Sequence, residues 1–284
     1  MQIIKATKDI HNQILDLRSE GKKIGFVPTM GALHAGHISL IRQSNKENEI
    51  TICSIFVNPT QFNDPKDFEK YPVTIESDMQ KLIDAKCDIL FLPSVSEMYP
   101  KGLKNNEPID FGYTGGTLEG EYRPGHFDGM AQIVGKLLTT VTPHHLYMGQ
   151  KDYQQAMICG QLIKKLKLKI KLVVCPIKRE KDGLAMSSRN VRLDKKSRAK
   201  AIEIIKTLKS IKARMKRSEG RQISEVEKIA FDRLSSFPEF KVEYVAIRDA
   251  KTLKPIKTFS PGINAVALIA TQIGGVRLID NMLL

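Results

Sequence analysis

Two hydrophobic rhythms alternate along this chain. Short apolar, largely β-branched runs at 24–28, 49–57, 88–93, 145–148 and 170–177 read as strands, those at 49–57 and 88–93 as buried ones. Between them apolar residues recur every three or four positions, as Ile10, Ile14, Leu15 and Leu17 do within 9–20. The same spacing marks 37–46, Thr74 to Lys86 (Ile75, Met79, Leu82, Ile83), 131–141 and 154–166 as helices with one buried face. Strand and helix in turn predict a parallel sheet covered on both sides. Ligands of such sheets sit beyond the carboxyl ends of the strands, where strand order reverses. The loops 29–37, 58–65 and 149–155 each follow a strand directly. Residues 100–128 are glycine-rich and irregular, as functional loops are.

After Asp182 the rhythm changes. Basic helices at 194–217 and 222–235 precede strands at 241–247, 265–273 and 276–280, which reads as a smaller α+β unit. The boundary falls near 177–185, and the expected domains are 1–180 and 181–284.

Charge sharpens this division. The chain of 284 residues carries a net +14; residues 1–176 account for +2 of it and 177–284 for +12. The densest basic stretch, Lys195 to Arg217, spaces Ile202, Ile205, Leu208 and Ile211 at helical intervals. A helix with a buried stripe and a solvated lysine face explains it better than a polyanion surface, because no stacking aromatics accompany the lysines. Cys53, Cys87, Cys159 and Cys175 form no CxxC pair and read as buried reduced thiols. The start lacks a signal-peptide core and no apolar run reaches the roughly 20 residues of a membrane helix, so an intracellular soluble protein is expected.

Chemistry concentrates in the post-strand loops. His34-Ala35-Gly36-His37 puts two imidazoles at the start of a helix, whose N–H groups and partial positive charge favour phosphate, or else a capping histidine with an unrelated neighbour. Gly31 and Gly36 let the backbone approach a ligand, while GxxxxGK[ST] and GxGxxG are both absent. Asn58-Pro59-Thr60-Gln61 offers neutral donors and acceptors, or an ordinary turn. Arg123-Pro124-Gly125-His126 suits a carboxylate or phosphate, or a structural turn. In Gly149-Gln150-Lys151-Asp152, Asp152 suits a helix cap, whereas Lys151 beside a helix start calls for an anion. Met186-Ser187-Ser188-Arg189 offers hydroxyls and a guanidinium to a triphosphate, or a serine cap. No zinc spacing occurs. Asp78, Glu119 and Asp152 are candidates for Mg²⁺ arriving with ATP, although Asp78 on a helix reads more readily as a solvated charge.

Taken together, PTMGALHAGH (28–37), FVNPTQF (56–62), LEGEYRPGHFDG (118–129), GQKDYQQ (149–155), DGLAMSSRN (182–190) and RLIDN (277–281) resemble the pantothenate synthetase family. The resemblance spans nearly the whole chain. It implies an α/β fold, a Rossmann-like doubly wound parallel sheet with a second, smaller α+β C-terminal domain acting as a cover. It implies an HxGH-type, ATP-dependent ligase that joins pantoate to β-alanine through a pantoyl-adenylate, and a homodimer built through the N-terminal domains. Met30-Gly31-Ala32-Leu33-His34-Ala35-Gly36-His37 is implied on the ATP side, with His37 a proton donor. Gly149 to Asp152 and Met186 to Arg189 match ATP-binding segments, and Lys178 matches an adenine-side position that members usually fill with an apolar residue. Gln61 and Gln155 resemble the pair that holds pantoate, Gln61 bordering β-alanine too, and Asn58, Arg123 and His126, in matching motifs, are implied on the pantoate side as well. His34, His37, Lys151 and Arg189 would then offset phosphate charge, with Mg²⁺. Ala35 and Gln150 stand where many members are acidic, and Val73 where many have Arg. Two rivals remain at this point: a plain nucleotidyltransferase that stops at AMP transfer, and an RNA-binding module using the basic C-terminal part.

Overall fold

The computed structural model describes residues 1–63, 65–103, 108–216, 222–258, 260 and 263–284, with Pro65 and Lys216 described by backbone alone. Parts of three expectations lie outside the described residues: Asp64 of the 58–65 loop, 104–107 of the irregular stretch, and Arg217 at the end of the basic helix. The chain divides into two compact units, residues 1–150 with 154–176, and residues 151–153 with 177–284. The main boundary thus falls at Pro176/Ile177 rather than at 180/181, and the three residues Lys151–Tyr153 group with the second unit.

The first unit is a six-stranded parallel sheet in the order β1-β4-β3-β2-β5-β6. Its strands are β1 Gln2–Ile4, β2 Ile24–Thr29, β3 Ile50–Ile55, β4 Ile89–Phe91, β5 His145–Gly149 and β6 Lys171–Cys175. Only β1 has no counterpart in the sequence reading; at three residues it is too short to show a period. The alternation of side chains across a strand sorts the core into two layers. Phe26, Ile52, Ile89 and Leu146 face a cluster completed by α1 (Thr7–Ser19), α4 (His126–Val141) and α5 (Tyr153–Lys165). Their neighbours Val27, Cys53, Leu90 and Tyr147 face the other cluster, under α2 (Ala35–Glu47) and α3 (Ile75–Asp84). The apolar runs of β2 to β5 are continuous because both faces are covered there, whereas the edge strand β6 is partly exposed.

From β2 the chain adds β3 and β4 on one side, then returns to place β5 and β6 on the other. The reversal lies between β2 and β5, and Met30 and Gln150 leave those strands at their carboxyl ends. Helix α4 begins at His126, not at 131. Gly125, at φ +79°, supplies the left-handed turn before it, and buried Phe127 and Met130 extend the apolar stripe upstream. Short helices at Tyr113–Gly116 and Glu119–Tyr122 occupy the stretch expected to be irregular, and another, Pro65–Glu69, begins where the 58–65 loop ends. Each is five residues or fewer, too short for a helical period.

The second unit has an antiparallel sheet β7-β8-β9 (Phe240–Asp249, Ala265–Ile273, Val276–Leu283). Helices α6 (Glu203–Lys216) and α7 (Ile223–Ser235) bury Leu208, Ile211, Val226 and Leu234 with Ile247, Ala267 and Ile269 from the sheet. Lys206 and Lys209 lie on the exposed side of α6, which is the solvated-face reading.

Candidate active site

The turn leaving β2 is left-handed twice, at Gly31 (φ +81°) and at Ala32 (φ +48°). An alanine there is strained by about 1–3 kcal/mol and persists only where its surroundings hold it. Asp78 of α3 does the holding. Its carboxylate accepts the Ala32 N–H at 2.8 Å, the Leu33 N–H at 2.7 Å and the Thr74 hydroxyl at 3.1 Å. Lys81, one turn later, donates to the Leu33 carbonyl at 2.8 Å. Asp78 is fully buried, which corrects the solvated-charge expectation. Its oxygens are turned onto the chain's own backbone, so the metal role expected for Asp78 finds no support in its geometry.

The clamped turn delivers His34 to the N-cap of α2. The Gly36 N–H donates to His34 Nδ1 at 3.1 Å and the His34 N–H donates to His37 Nδ1 at 3.3 Å, a reciprocal capping box made of imidazoles. Because Nδ1 is the acceptor in both rings, each neutral ring carries its proton on Nε2. The rings are 4.0 Å apart between centroids. Two oriented N–H donors thus sit at a helix N-terminus beside the strand-order reversal, as an anion site requires.

The loop after β3 forms a 3-10 turn, Pro59–Gln61. Asn58, 1% exposed, donates to the Gly129 carbonyl at 3.1 Å and to Gln61 Oε1 at 3.2 Å, and accepts the Tyr99 hydroxyl at 2.7 Å. Gln61 Nε2 reaches Met30 Sδ at 2.9 Å, which joins this loop to the β2 turn. From the other side, His126 Nδ1 donates to the Gln61 carbonyl at 2.8 Å, so its Nε2 accepts Arg123 Nη1 at 3.0 Å. His126 is buried with both nitrogens bonded to protein. Those bonds tie it to the Gln61 carbonyl and to Arg123. Arg123 also lies 3.8 Å from buried Glu119, and that pairing takes the place of the metal role considered for Glu119.

At the end of β5, a side chain on Gly149 would meet no atom within 4 Å, so open space borders this strand end. Gln155 is half-buried on the first turn of α5. Its neighbour Gln154, which sequence reasoning passed over, is buried and bonded to the Thr114 and Thr117 carbonyls and the Glu119 N–H at 2.7–3.1 Å. Gln154 holds the short helices of the 113–122 stretch in place.

The second unit carries the other candidates. Lys151 Nζ lies 3.2 Å from Asp152, which answers the oddity of a cation at a helix start. Residues 178–186 form a tight hairpin, with Met186 N–H on the Lys178 carbonyl at 3.0 Å. The Lys178 side chain is exposed, so only its backbone is fixed by the hairpin. Ser187 caps the following 3-10 helix Ser188–Arg192 through the Arg189 N–H at 3.2 Å, as the serine-cap alternative holds. Asp280 and Asn281 of RLIDN, given no role from sequence, prove to be buried. A signal was available: Asp280 is in phase with the buried Val276 and Leu278 of β9, so the alternation points it inward.

Among the described residues no group of three or more His, Cys, Asp or Glu side chains converges to hold a metal ion. The four cysteines are free and buried; burial pushes Cys87 and Cys159 up to about 12, so neither serves as a thiolate. Among the described residues no helix is long and apolar enough to cross a membrane.

The family model described as pantoate-beta-alanine ligase matches residues 2–283. A pantothenate synthetase of Cytophaga hutchinsonii is 43% identical over 281 residues, covering 99% of this chain and 98% of its own. The crystal structure of pantothenate synthetase from Thermus thermophilus superposes with a TM-score of 0.91 at 35% identity, covering 99% of both chains. The pantoate-beta-alanine ligase of Francisella tularensis, solved in complex with beta-gamma ATP and beta-alanine, has a TM-score of 0.81 at 39% identity, covering 100% of this chain and 97% of its own. Agreement in sequence and fold from end to end leaves one conclusion: this chain belongs to the pantoate-beta-alanine ligase family of enzymes.

Proposed function

We propose that this chain condenses pantoate with β-alanine in two steps, at the expense of ATP. In the first, a pantoate carboxylate oxygen attacks the α-phosphorus and the bond to the β-phosphate bridge breaks. Pyrophosphate leaves, and pantoyl-adenylate remains. In the second, the neutral amine of β-alanine attacks the acyl carbon. The carbon–oxygen bond to AMP breaks, AMP leaves and the nitrogen gives up a proton. The observation that carries this reading is the imidazole pair capping α2, with two oriented Nε2–H donors at the strand-order reversal.

The roles follow from charge. A carboxylate approaching a triphosphate brings anion to anion, and fixed donors offset that repulsion most effectively in a water-poor site. His34 and His37 serve the phosphates, with His37 the proton donor. Met30 to Ala35, Gly36, Gly149 and Gln150 line the nucleotide by backbone. Lys151, Asp152, Lys178 and Met186 to Arg189 are the nucleotide residues of the second unit, with Lys151 and Arg189 as its cations. Gln61 and Gln155 are neutral, which suits a hydroxy-acid that must be oriented rather than neutralised, and Gln61 also borders β-alanine. Asn58, Arg123 and His126 act by holding Gln61. ATP is taken as its Mg²⁺ complex, the ion being held by the phosphates. The enzyme is proposed to work in the cytoplasm as a homodimer through the first unit, which light scattering on the purified protein tests.

Isotope exchange separates this reading from a plain nucleotidyltransferase. The expected result is ATP–pyrophosphate exchange that requires pantoate, with AMP released only when β-alanine is added. Exchange without pantoate, or AMP release without β-alanine, contradicts it.

A further inference from the structure

The roles proposed for the second unit depend on two separate pieces of chain, Lys151–Asp152 and the hairpin leading to Met186–Arg189. One buried cluster grips both. Arg179 donates to Asp280 through both terminal nitrogens, at 2.6 and 3.0 Å. The same guanidinium donates to the Gly183 carbonyl at 3.1 Å, which closes the 178–186 hairpin from beneath. Asp280 Oδ1 accepts the Asn281 N–H at 2.7 Å, and the Asn281 side-chain amide then donates to the Lys151 carbonyl at 2.9 Å. Asp280 and Asn281 are 4% and 2% exposed. A carboxylate this deep is costly to bury unpaired, and Arg179, itself 23% exposed, supplies its partner charge.

We infer that Arg179, Asp280 and Asn281 are positioning residues that set Lys151 and the 186–189 segment in register with each other for the nucleotide phosphates. This rests on the ligase reading above. Asn281 is the link to Lys151: its amide N–H₂, an unambiguous donor to a carbonyl, ties the cluster to residue 151. Two short segments far apart in sequence are thereby referred to one rigid point on β9, so their cations hold a fixed spacing. Placement errors of about 1 Å at such groups can cost 10²-fold in rate.

The test is a double-mutant cycle on pantoate-dependent ATP–pyrophosphate exchange. Asn281→Asp keeps the shape and volume but sets a carboxylate oxygen against the Lys151 carbonyl. Circular dichroism and thermal melting verify its fold, and Asn281→Leu supplies a second, uncharged removal of the donor. Expected is a drop of tenfold or more in exchange kcat for both variants, with little further loss when either is combined with Lys151→Ala, because the lysine is already gone. A folded Asn281→Asp within twofold of the parent overturns the inference alone. So does a loss of equal size in the parent and in the Lys151→Ala background, since that is the mark of a structural role. A parent enzyme that shows no exchange overturns the ligase reading and the inference with it.

Discussion

The His34 and His37 rings face each other at 4.0 Å, and each accepts a backbone N–H through Nδ1, His34 from Gly36 and His37 from His34. Capping and tautomer are thus one arrangement. The bonds that complete the first turn of α2 also decide which nitrogen carries the outward proton.

Capping and catalysis can be separated. Asparagine is a strong N-cap, so His34→Asn is expected to keep the stability of α2 within about 0.5 kcal/mol. The same change is expected to lower exchange kcat about 10²-fold, the usual loss for one donor to a developing charge. His37→Ala is expected to lower it about 10²–10³-fold with the fold intact. Urea melts alongside exchange assays check both; a His34→Asn enzyme of normal rate denies His34 its part.

Asp78 offers a different test. In Asp78→Asn one oxygen becomes an amide donor facing the Ala32 or Leu33 N–H, and a buried donor is left unmet. The expected cost is about 1–3 kcal/mol, read as a lower urea midpoint. The KM for ATP is expected to rise, because the left-handed Ala32 turn loses the group that holds it.

Gly129 lies under the Gln61 loop. A methyl group there would come within 2.2 Å of the Thr60 carbonyl and 2.9 Å of the Gln61 nitrogen, both backbone atoms with little freedom to yield. Gly129→Ala is expected to cost about 1–3 kcal/mol from overpacking. It should also raise the pantoate KM more than it lowers kcat. Steady-state kinetics with pantoate varied measures this.

The Arg179–Asp280 pair sets a pH dependence. Burial pushes the Asp280 carboxyl above its ordinary value of 3.8, and Arg179 pulls it back only in part. A raised acid binds its proton more readily folded than unfolded, so its stabilising contribution is present at low pH and lost as pH rises through the folded value. Arg179→Ala removes the downward pull and strands the carboxylate, at an expected cost of about 3–5 kcal/mol at pH 7. That deficit should shrink as pH falls towards 4 and Asp280 protonates. Urea melts of both proteins at pH 7 and 4.5 measure the gap; one that is constant or wider at pH 4.5 contradicts the assignment.

The strands and longer helices of residues 24–177 were legible because the inner strands β2 to β5 are largely buried on both faces and the helices on one, so period told most of them apart. His34 and His37 stood out because two imidazoles share the first turn of a helix that follows a strand directly, while their capping bonds to the backbone are visible only in the structure. Less could be read where function depends on long-range contact. Asp78 read as a surface charge because a helix pattern does not reveal that its first turn meets a left-handed turn 46 residues away in sequence. That His126 bonds to the Gln61 carbonyl, 65 residues away in sequence, is carried by no local pattern. The assignment of Lys151–Tyr153 to the second unit depends on contacts with Asn281 and Ala250, distant in sequence, and no local pattern carries that.

In the proposed first step a pantoate oxygen bonds to the α-phosphorus of ATP. Its most direct test is a single turnover with pantoate labelled by ¹⁸O in the carboxylate, followed by mass spectrometry of the products. The account predicts one ¹⁸O in AMP and none in pyrophosphate. Unlabelled AMP, or label appearing in inorganic phosphate beside ADP, would contradict it.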